Sequence, residues 1–246
     1  MVVKNLKIKL DSKHILYGTL NGSLKDPLII IVHGLPGSSD EYFHTIAANY
    51  FAAHGYSTFR VNLYNWHKGA RKLLDCTLQT HAQDLNKVVN YFRQHNVKQI
   101  FAIGHSYGGP SIMLSNSNNY KAVSLWDPSY KSTFTKRSYG MAGGKYIREA
   151  KGYLMNWGVA VIIGEKMAHE ADKLDWDSLA KNFPTPLQII TAGNGILKPG
   201  NKHYIQTAQE PKEQVIIAGA THHFNDTDKM EEKVFAHAVR WFKKFS

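Results

Sequence analysis

Serine, histidine and aspartate are the side chains that can turn a protein into an acyl-transfer catalyst, and one serine stands out. It lies in Gly104-His105-Ser106-Tyr107-Gly108. The run before it, Ile100-Phe101-Ala102-Ile103, is short, apolar and rich in β-formers, as a strand covered on both faces should be. The run after it, Gly109-Pro110-Ser111-Ile112-Met113-Leu114, suits a helix that tolerates proline in its first turn. A strand reversing sharply into a helix presents the intervening hydroxyl at the sheet edge, and small residues two positions either side prevent collision. Ser106 is the expected nucleophile.

A serine hydroxyl is a poor nucleophile at neutral pH and needs a base. Of the 13 histidines, His222 in Gly219-Ala220-Thr221-His222-His223-Phe224 lies between the last strand-like run and the final helix-like run. His222 is the expected base, with His223 in reserve. His105 is the variable position of the elbow, and His33 reads as support for a turn. A tetrahedral intermediate also needs N–H donors for its oxyanion. Tyr107, next to the nucleophile, supplies one. Leu35 in His33-Gly34-Leu35-Pro36-Gly37 supplies the other, since Pro36 has no N–H.

These residues need a scaffold, and strand-like and helix-like runs alternate along the chain. Residues 2–10 and 13–20 read as a strand hairpin. Leu28 to Val32 is an unbroken apolar run that a fully covered strand requires. Ser38-x-x-Glu41 matches a capping box ahead of a stripe of Phe43, Ile46, Ala47, Tyr50 and Phe51. Gly55 closes that helix, and a strand runs from Tyr56 to Val61. Thr80-x-x-Gln83 matches a second capping box in a helix striped by Leu78, Ala82, Leu85, Val89 and Phe92. Further strands are expected at 122–126, 186–190 and 214–218, with helices over about 201–209 and through Met230, Val234, Ala238 and Trp241. Asp226 reads as the N-cap of the last helix. Such alternation predicts an α/β fold: a mainly parallel sheet covered on both faces.

In this order, His-Gly-x-Pro-Gly, G-x-S-x-G and Gly-Ala-x-His, the chain resembles the α/β hydrolases of the esterase and lipase type. The resemblance implies the α/β-hydrolase fold and a Ser-His-acid triad. It also implies an acid just after the penultimate strand, and there the chain departs from the pattern. Thr191-Ala192-Gly193-Asn194-Gly195-Ile196 holds no carboxylate. Some members carry the acid after the strand that follows the nucleophile helix, and that place holds Asp127 in Trp126-Asp127-Pro128. Asp127 is the expected acid, with a neutral Asn194 or another carboxylate as alternatives. Asn194 can orient a histidine but cannot stabilise its charged form.

Residues 128–182 are too long for a simple connection and read as an inserted cap on a core of 1–127 and 183–246. Tyr130, Phe134, Tyr139, Met141, Tyr146, Tyr153, Met155 and Trp157 either line an apolar acyl or alcohol pocket or pack the cap onto the core. Asp172, Asp175 and Asp177 read as solvated charges. The net charge is +11, from 30 Lys and Arg against 19 Asp and Glu. Seven basic residues fall within 121–151, yet five acids against two lysines follow within 165–177, so a solvated surface is favoured over nucleic-acid binding. One cysteine, Cys76, permits no intrachain disulfide, and no apolar run is long enough to span a bilayer. The first ten residues alternate like a strand and lack the apolar stretch of a signal peptide, the pattern expected of a cytoplasmic protein.

The expected activity is cleavage of a small, largely apolar carboxylic ester through an acyl-enzyme, with no metal or cofactor. Thioester, lactone, amide or carbon–carbon hydrolysis uses the same machinery. A serine at the elbow argues against dehalogenase and epoxide-hydrolase chemistry. The rival from another class is a binding protein on a degraded hydrolase fold.

Overall fold

The computed structural model describes residues 2–24 and 27–246. Its strands are β1 Val3–Lys9, β2 Ile15–Asn21, β3 Leu28–Val32, β4 Ser57–Asn62, β5 Ile100–His105, β6 Val123–Trp126, β7 Lys145–Ile147, β8 Gly152–Asn156, β9 Ala160–Gly164, β10 Leu187–Ala192 and β11 Lys212–Ile217. The helices are α1 Tyr42–Ala53, α2 Leu78–Gln94, α3 Gly108–Leu114, α4 Glu165–Lys173, α5 Ser178–Lys181, α6 Lys198–Thr207 and α7 Met230–Lys243. Eight strands form one sheet in the order β1-β2-β4-β3-β5-β6-β10-β11. The hairpin β1–β2 and the β2–β4 pair are antiparallel, and β4, β3, β5, β6, β10 and β11 run parallel.

The apolar runs explain this layout. All five residues of β3 and all six of β5 are buried, because helices cover both faces. On one face α1 and α7 close over Ile29, Ile31, Ile103 and Trp126 with Phe43, Phe51, Phe235 and Phe242. On the other, Leu78, Leu85, Val89 and Phe92 of α2 join Ile30, Val32 and Ala102. Each fully buried side chain of this kind is worth about 1.5–3 kcal/mol relative to exposure. Residues 145–164 form a separate three-stranded antiparallel sheet. The α4 residues Met167, Ala168 and Ala171 are wholly buried in the same core as α2, so this helix is anchored to the main core.

Three local expectations differ from the structure. Helix α1 starts at Tyr42 with Glu41 as N-cap and no side-chain cap bond. Only the Glu half of the proposed box forms, Ser38 N–H donating to Glu41 Oε1 at 3.2 Å, because the Ser38 hydroxyl accepts from Asp40 N–H instead. The capping box of α2 uses Thr77 and Thr80, not Thr80 and Gln83; the helix begins one turn earlier, where Leu78 can be buried. Asp226 does not cap α7, whose N-cap is Lys229. Its carboxylate instead accepts from the Thr221 N–H and hydroxyl, both at 2.7 Å, tying down the loop that carries His222. No helix among the described residues is long and apolar enough to cross a membrane.

Candidate active site

The loops after β3, β5, β6, β10 and β11 all leave the sheet at the carboxyl ends of parallel strands. That is the edge where open α/β sheets form their crevice. Register makes Ser106 and Asp127 neighbours, since His105 pairs with Trp126 across β5 and β6.

Ser106 sits between β5 and α3 with φ of +53°, a left-handed conformation that costs a non-glycine residue about 1–3 kcal/mol. The surroundings hold it there. Ser106 N–H donates to Trp126 O at 3.1 Å, and its carbonyl accepts from Gly109 N–H at 3.0 Å and Ser129 N–H at 3.1 Å. The flanking glycines follow from close approach. A Cβ at Gly104 would lie 2.8 Å from the Gly108 carbonyl, and one at Gly108 would lie 2.4 Å from Val32 O. The Ser106 hydroxyl faces Ser129 Oγ at 3.3 Å.

Asp127, the next residue after β6, is wholly buried and also has a positive φ, +42°. Its Oδ2 lies 2.7 Å from His222 Nδ1. Its Oδ1 accepts from Asn201 Nδ2 at 2.6 Å and from Ala192 N–H at 3.2 Å. The carboxylate is therefore compensated on one oxygen by two neutral donors and spends the other on the imidazole. Asn194 is exposed, and its amide donates to Gly219 O at 3.3 Å, away from His222. His223 packs against His222 with ring centroids 5.3 Å apart and makes no bond to Asp127. The structure thus brings Asp127 and His222 together and leaves Asn194 aside. Among the described residues, Ser106 Oγ makes no hydrogen bond to His222, although both line one cavity. Serine–histidine bonds of this kind often tighten only with substrate bound.

The loop after β3 is braced by His33. Leu63 N–H donates to His33 Nε2 at 3.1 Å, so the ring proton sits on Nδ1 and donates to Gly34 O at 2.8 Å. Burial pushes this imidazole down to about 4, so it stays neutral. The turn-supporting role read from sequence is the role seen here. Neither Leu35 N–H nor Tyr107 N–H donates to a protein acceptor among the described residues, and both residues line the cavity.

That cavity encloses about 530 Å³. It is lined by the polar Ser106, His105, His222, His223 and Glu41 and by the apolar Phe134, Met141, Met155, Trp157, Val159 and Leu197. The aromatic and methionine set of residues 130–157 therefore divides. Phe134, Met141, Met155 and Trp157 line the cavity, whereas Tyr130 packs on Tyr204 and the exposed Tyr146 donates to Glu165. Asp177 is not a free solvated charge, since it accepts from Tyr130 and pairs with Lys131 at 2.8 Å and His203 at 2.9 Å. Lys121 lies with Arg93 and Lys98 in a polar cleft at the amino ends of β5 and β6, the opposite edge of the sheet.

Sequence reading did not single out Asn201 or Ser129, and took Glu41 only for a helix cap. Asn201 had a faint signal, a polar residue three positions before Tyr204 on the buried face of α6. Removing it tests its part: Asn201→Ala withdraws a donor from a buried carboxylate. About 1.5–3 kcal/mol of stability should be lost, the range for hydrogen bonds to charged groups, as read by urea unfolding. An unchanged midpoint would deny Asn201 that role.

The comparisons with known proteins agree with this architecture. Residues 27–114, which hold both the His33–Gly37 loop and the elbow, match the family model described as the α/β-hydrolase fold. No curated protein matches the chain in sequence. Among solved structures, Est1E from Butyrivibrio proteoclasticus with ferulic acid bound superimposes with a TM-score of 0.81 at 20% identity, covering 98% of each chain. The α/β hydrolase GrgF from Penicillium sp. sh18 gives 0.78 at 16% identity, over 100% of this chain and 99% of that one. Dienelactone hydrolase from Anabaena variabilis gives 0.70 at 15% identity, over 99% and 98%. The chain has the α/β-hydrolase fold.

Proposed function

We propose that the protein is a serine hydrolase that cleaves small, largely apolar carboxylic esters through an acyl-enzyme. The observation that carries this reading is the 2.7 Å pair of buried Asp127 and His222 beside a serine in a positive-φ elbow. Ser106 Oγ gives its proton to His222 Nε2 and attacks the carbonyl carbon. Leu35 and Tyr107 N–H groups receive the oxyanion as the tetrahedral intermediate forms. His222 then protonates the departing alcohol, and a water activated by the same nitrogen releases the acid. Asp127 holds the Nδ1–H tautomer and stabilises the imidazolium.

Residues 128–182 act as a cap that supplies the acyl wall. Phe134 and Trp157 suit an aromatic or short aliphatic acyl group. The ferulic acid held by Est1E is an acid of the first kind.

Fluorophosphonate labelling followed by mass spectrometry tests the reading. Ser106 should be labelled in the wild type and in His223→Ala, and left unlabelled in His222→Ala, because only His222 reaches Asp127. Labelling lost in His223→Ala but kept in His222→Ala would transfer the base to His223. An unlabelled wild type would favour a binding protein on a degraded fold.

A further inference from the structure

Ser129 lies beside the candidate nucleophile without taking part in the proposed steps. Its Oγ is 3.3 Å from Ser106 Oγ, and the residue is only 2% exposed. A hydroxyl this buried needs a hydrogen-bond partner. Among the described residues, Ser106 Oγ is the one it has. The contact also defines where the nucleophile rests. Ser106 Oγ bonds to Ser129 and not to His222, although all three residues line the same cavity.

The surroundings hold Ser129 in this place. Its N–H donates to Ser106 O at 3.1 Å, and its carbonyl accepts from Tyr204 OH at 2.9 Å. Tyr204 is wholly buried and stands one turn after Asn201 on α6, the residue that bonds Asp127. One helix therefore clamps both ends of Asp127-Pro128-Ser129. Between them Pro128 packs on the elbow so closely that a Cβ at Gly109 would lie 2.6 Å from its own Cβ. Ser129 thus offers its hydroxyl from a fixed backbone. Rotation about one bond, in contrast, moves Ser106 Oγ between staggered positions while the elbow stays as it is.

We propose that Ser129 is a positioning residue whose hydroxyl holds the Ser106 hydroxyl off His222 in the free protein, so that most of the nucleophile waits disengaged from its base. The resting position is a matter of geometry; its kinetic consequence rests on the proposed function. For attack, Ser106 must donate to His222 Nε2, and to do so it leaves Ser129. The two bonds compete for one hydroxyl, and the arrangement seen is the Ser129 one. A neutral hydrogen bond shifts such an equilibrium by about 2- to 12-fold, and a step that needs the minor arrangement is slowed by its fraction. Removing the Ser129 hydroxyl removes the competitor, and the engaged fraction rises.

The test compares full-length wild type, Ser129→Ala and Ser129→Cys by the rate of fluorophosphonate labelling of Ser106 and by crystal structures without ligand. Ser129→Ala should label about fivefold faster, near the middle of that range, with Ser106 Oγ now hydrogen-bonded to His222 Nε2. The kcat/KM for p-nitrophenyl acetate should rise in parallel. Ser129→Cys fills the same space with a weak hydrogen-bonding group and should follow alanine. It also carries the test if circular dichroism shows that the alanine variant does not fold. Where the wild type is labelled, equal or slower labelling in both variants overturns the proposal. So does a cysteine variant that keeps the wild-type rate while alanine accelerates, which would assign the effect to volume rather than to the hydroxyl. If no form is labelled or hydrolyses an ester, the proposed function falls and the variant structures decide alone. Ser106 turned onto His222 then keeps the positioning role, and Ser106 still turned away ends it.

Discussion

Replacing Ser106 with alanine is expected to abolish hydrolysis of short p-nitrophenyl esters, with a loss of about 10⁶-fold in kcat, the size seen when a triad loses its nucleophile. The change removes the one atom that forms the acyl bond. What remains, an imidazole and two N–H donors, can polarise a carbonyl but cannot form the acyl bond. The fold should persist, because the elbow is held by the backbone bonds of Ser106 to Trp126, Gly109 and Ser129 and alanine keeps all of them. Purified Ser106→Ala should therefore unfold near the wild-type midpoint while losing both turnover and fluorophosphonate labelling. Turnover near wild type in that variant would mean that another group performs the chemistry.

Asp127→Asn is expected to cost about 10⁴-fold in kcat, as an amide does in a comparable triad. The structure gives the reason in terms of tautomers. Asp127 Oδ1 already faces two donors, Asn201 Nδ2 and Ala192 N–H. An asparagine will keep its carbonyl oxygen there and turn its NH2 toward His222 Nδ1. A donor in that place requires Nδ1 to accept, which moves the ring proton to Nε2, and a protonated Nε2 cannot take the serine proton. The loss should appear in kcat and in the rate of Ser106 labelling, with little change in overall fold. Asn194→Ala serves as the contrast. Its side chain is exposed and bonds only to Gly219 O, so its effect should stay within the roughly 0.5 kcal/mol typical of surface changes. Equal losses in the two variants would remove Asp127 from the triad.

The candidate nucleophile, which sits in one local element, was legible in the chain. Gly104 and Ser106 announce the elbow because a Cβ at Gly104 would strike Gly108 within the same turn, whereas Gly108 must be small because the end of β3 passes against it. The apolar runs of β3 and β5 announce burial on both faces for the same local reason. The stripes on α2 and α7 do so by helical period, and Leu78, Leu85, Val89, Met230, Val234 and Trp241 are all buried. Helix starts were less legible. Several Ser, Thr and Asp residues competed for each cap, and burial of Leu78 decided in favour of Thr77 for α2.

What the chain alone left open was which carboxyl or amide meets His222. Asp127 and Asn194 both follow strands at the same sheet edge, and they are separated only by where those strands stand in the sheet. β6 lies between β5 and β10, which sets Asp127 beside Ser106, and α6 then brings Asn201 down onto its second oxygen. Ser129 likewise meets Ser106, 23 residues earlier in the chain, only because β6 lies against β5. Local pattern determines what each segment becomes, since turn sterics and burial periodicity act over a few residues. Which distant polar groups share one buried volume is decided by strand order, and only the packed sheet contains it.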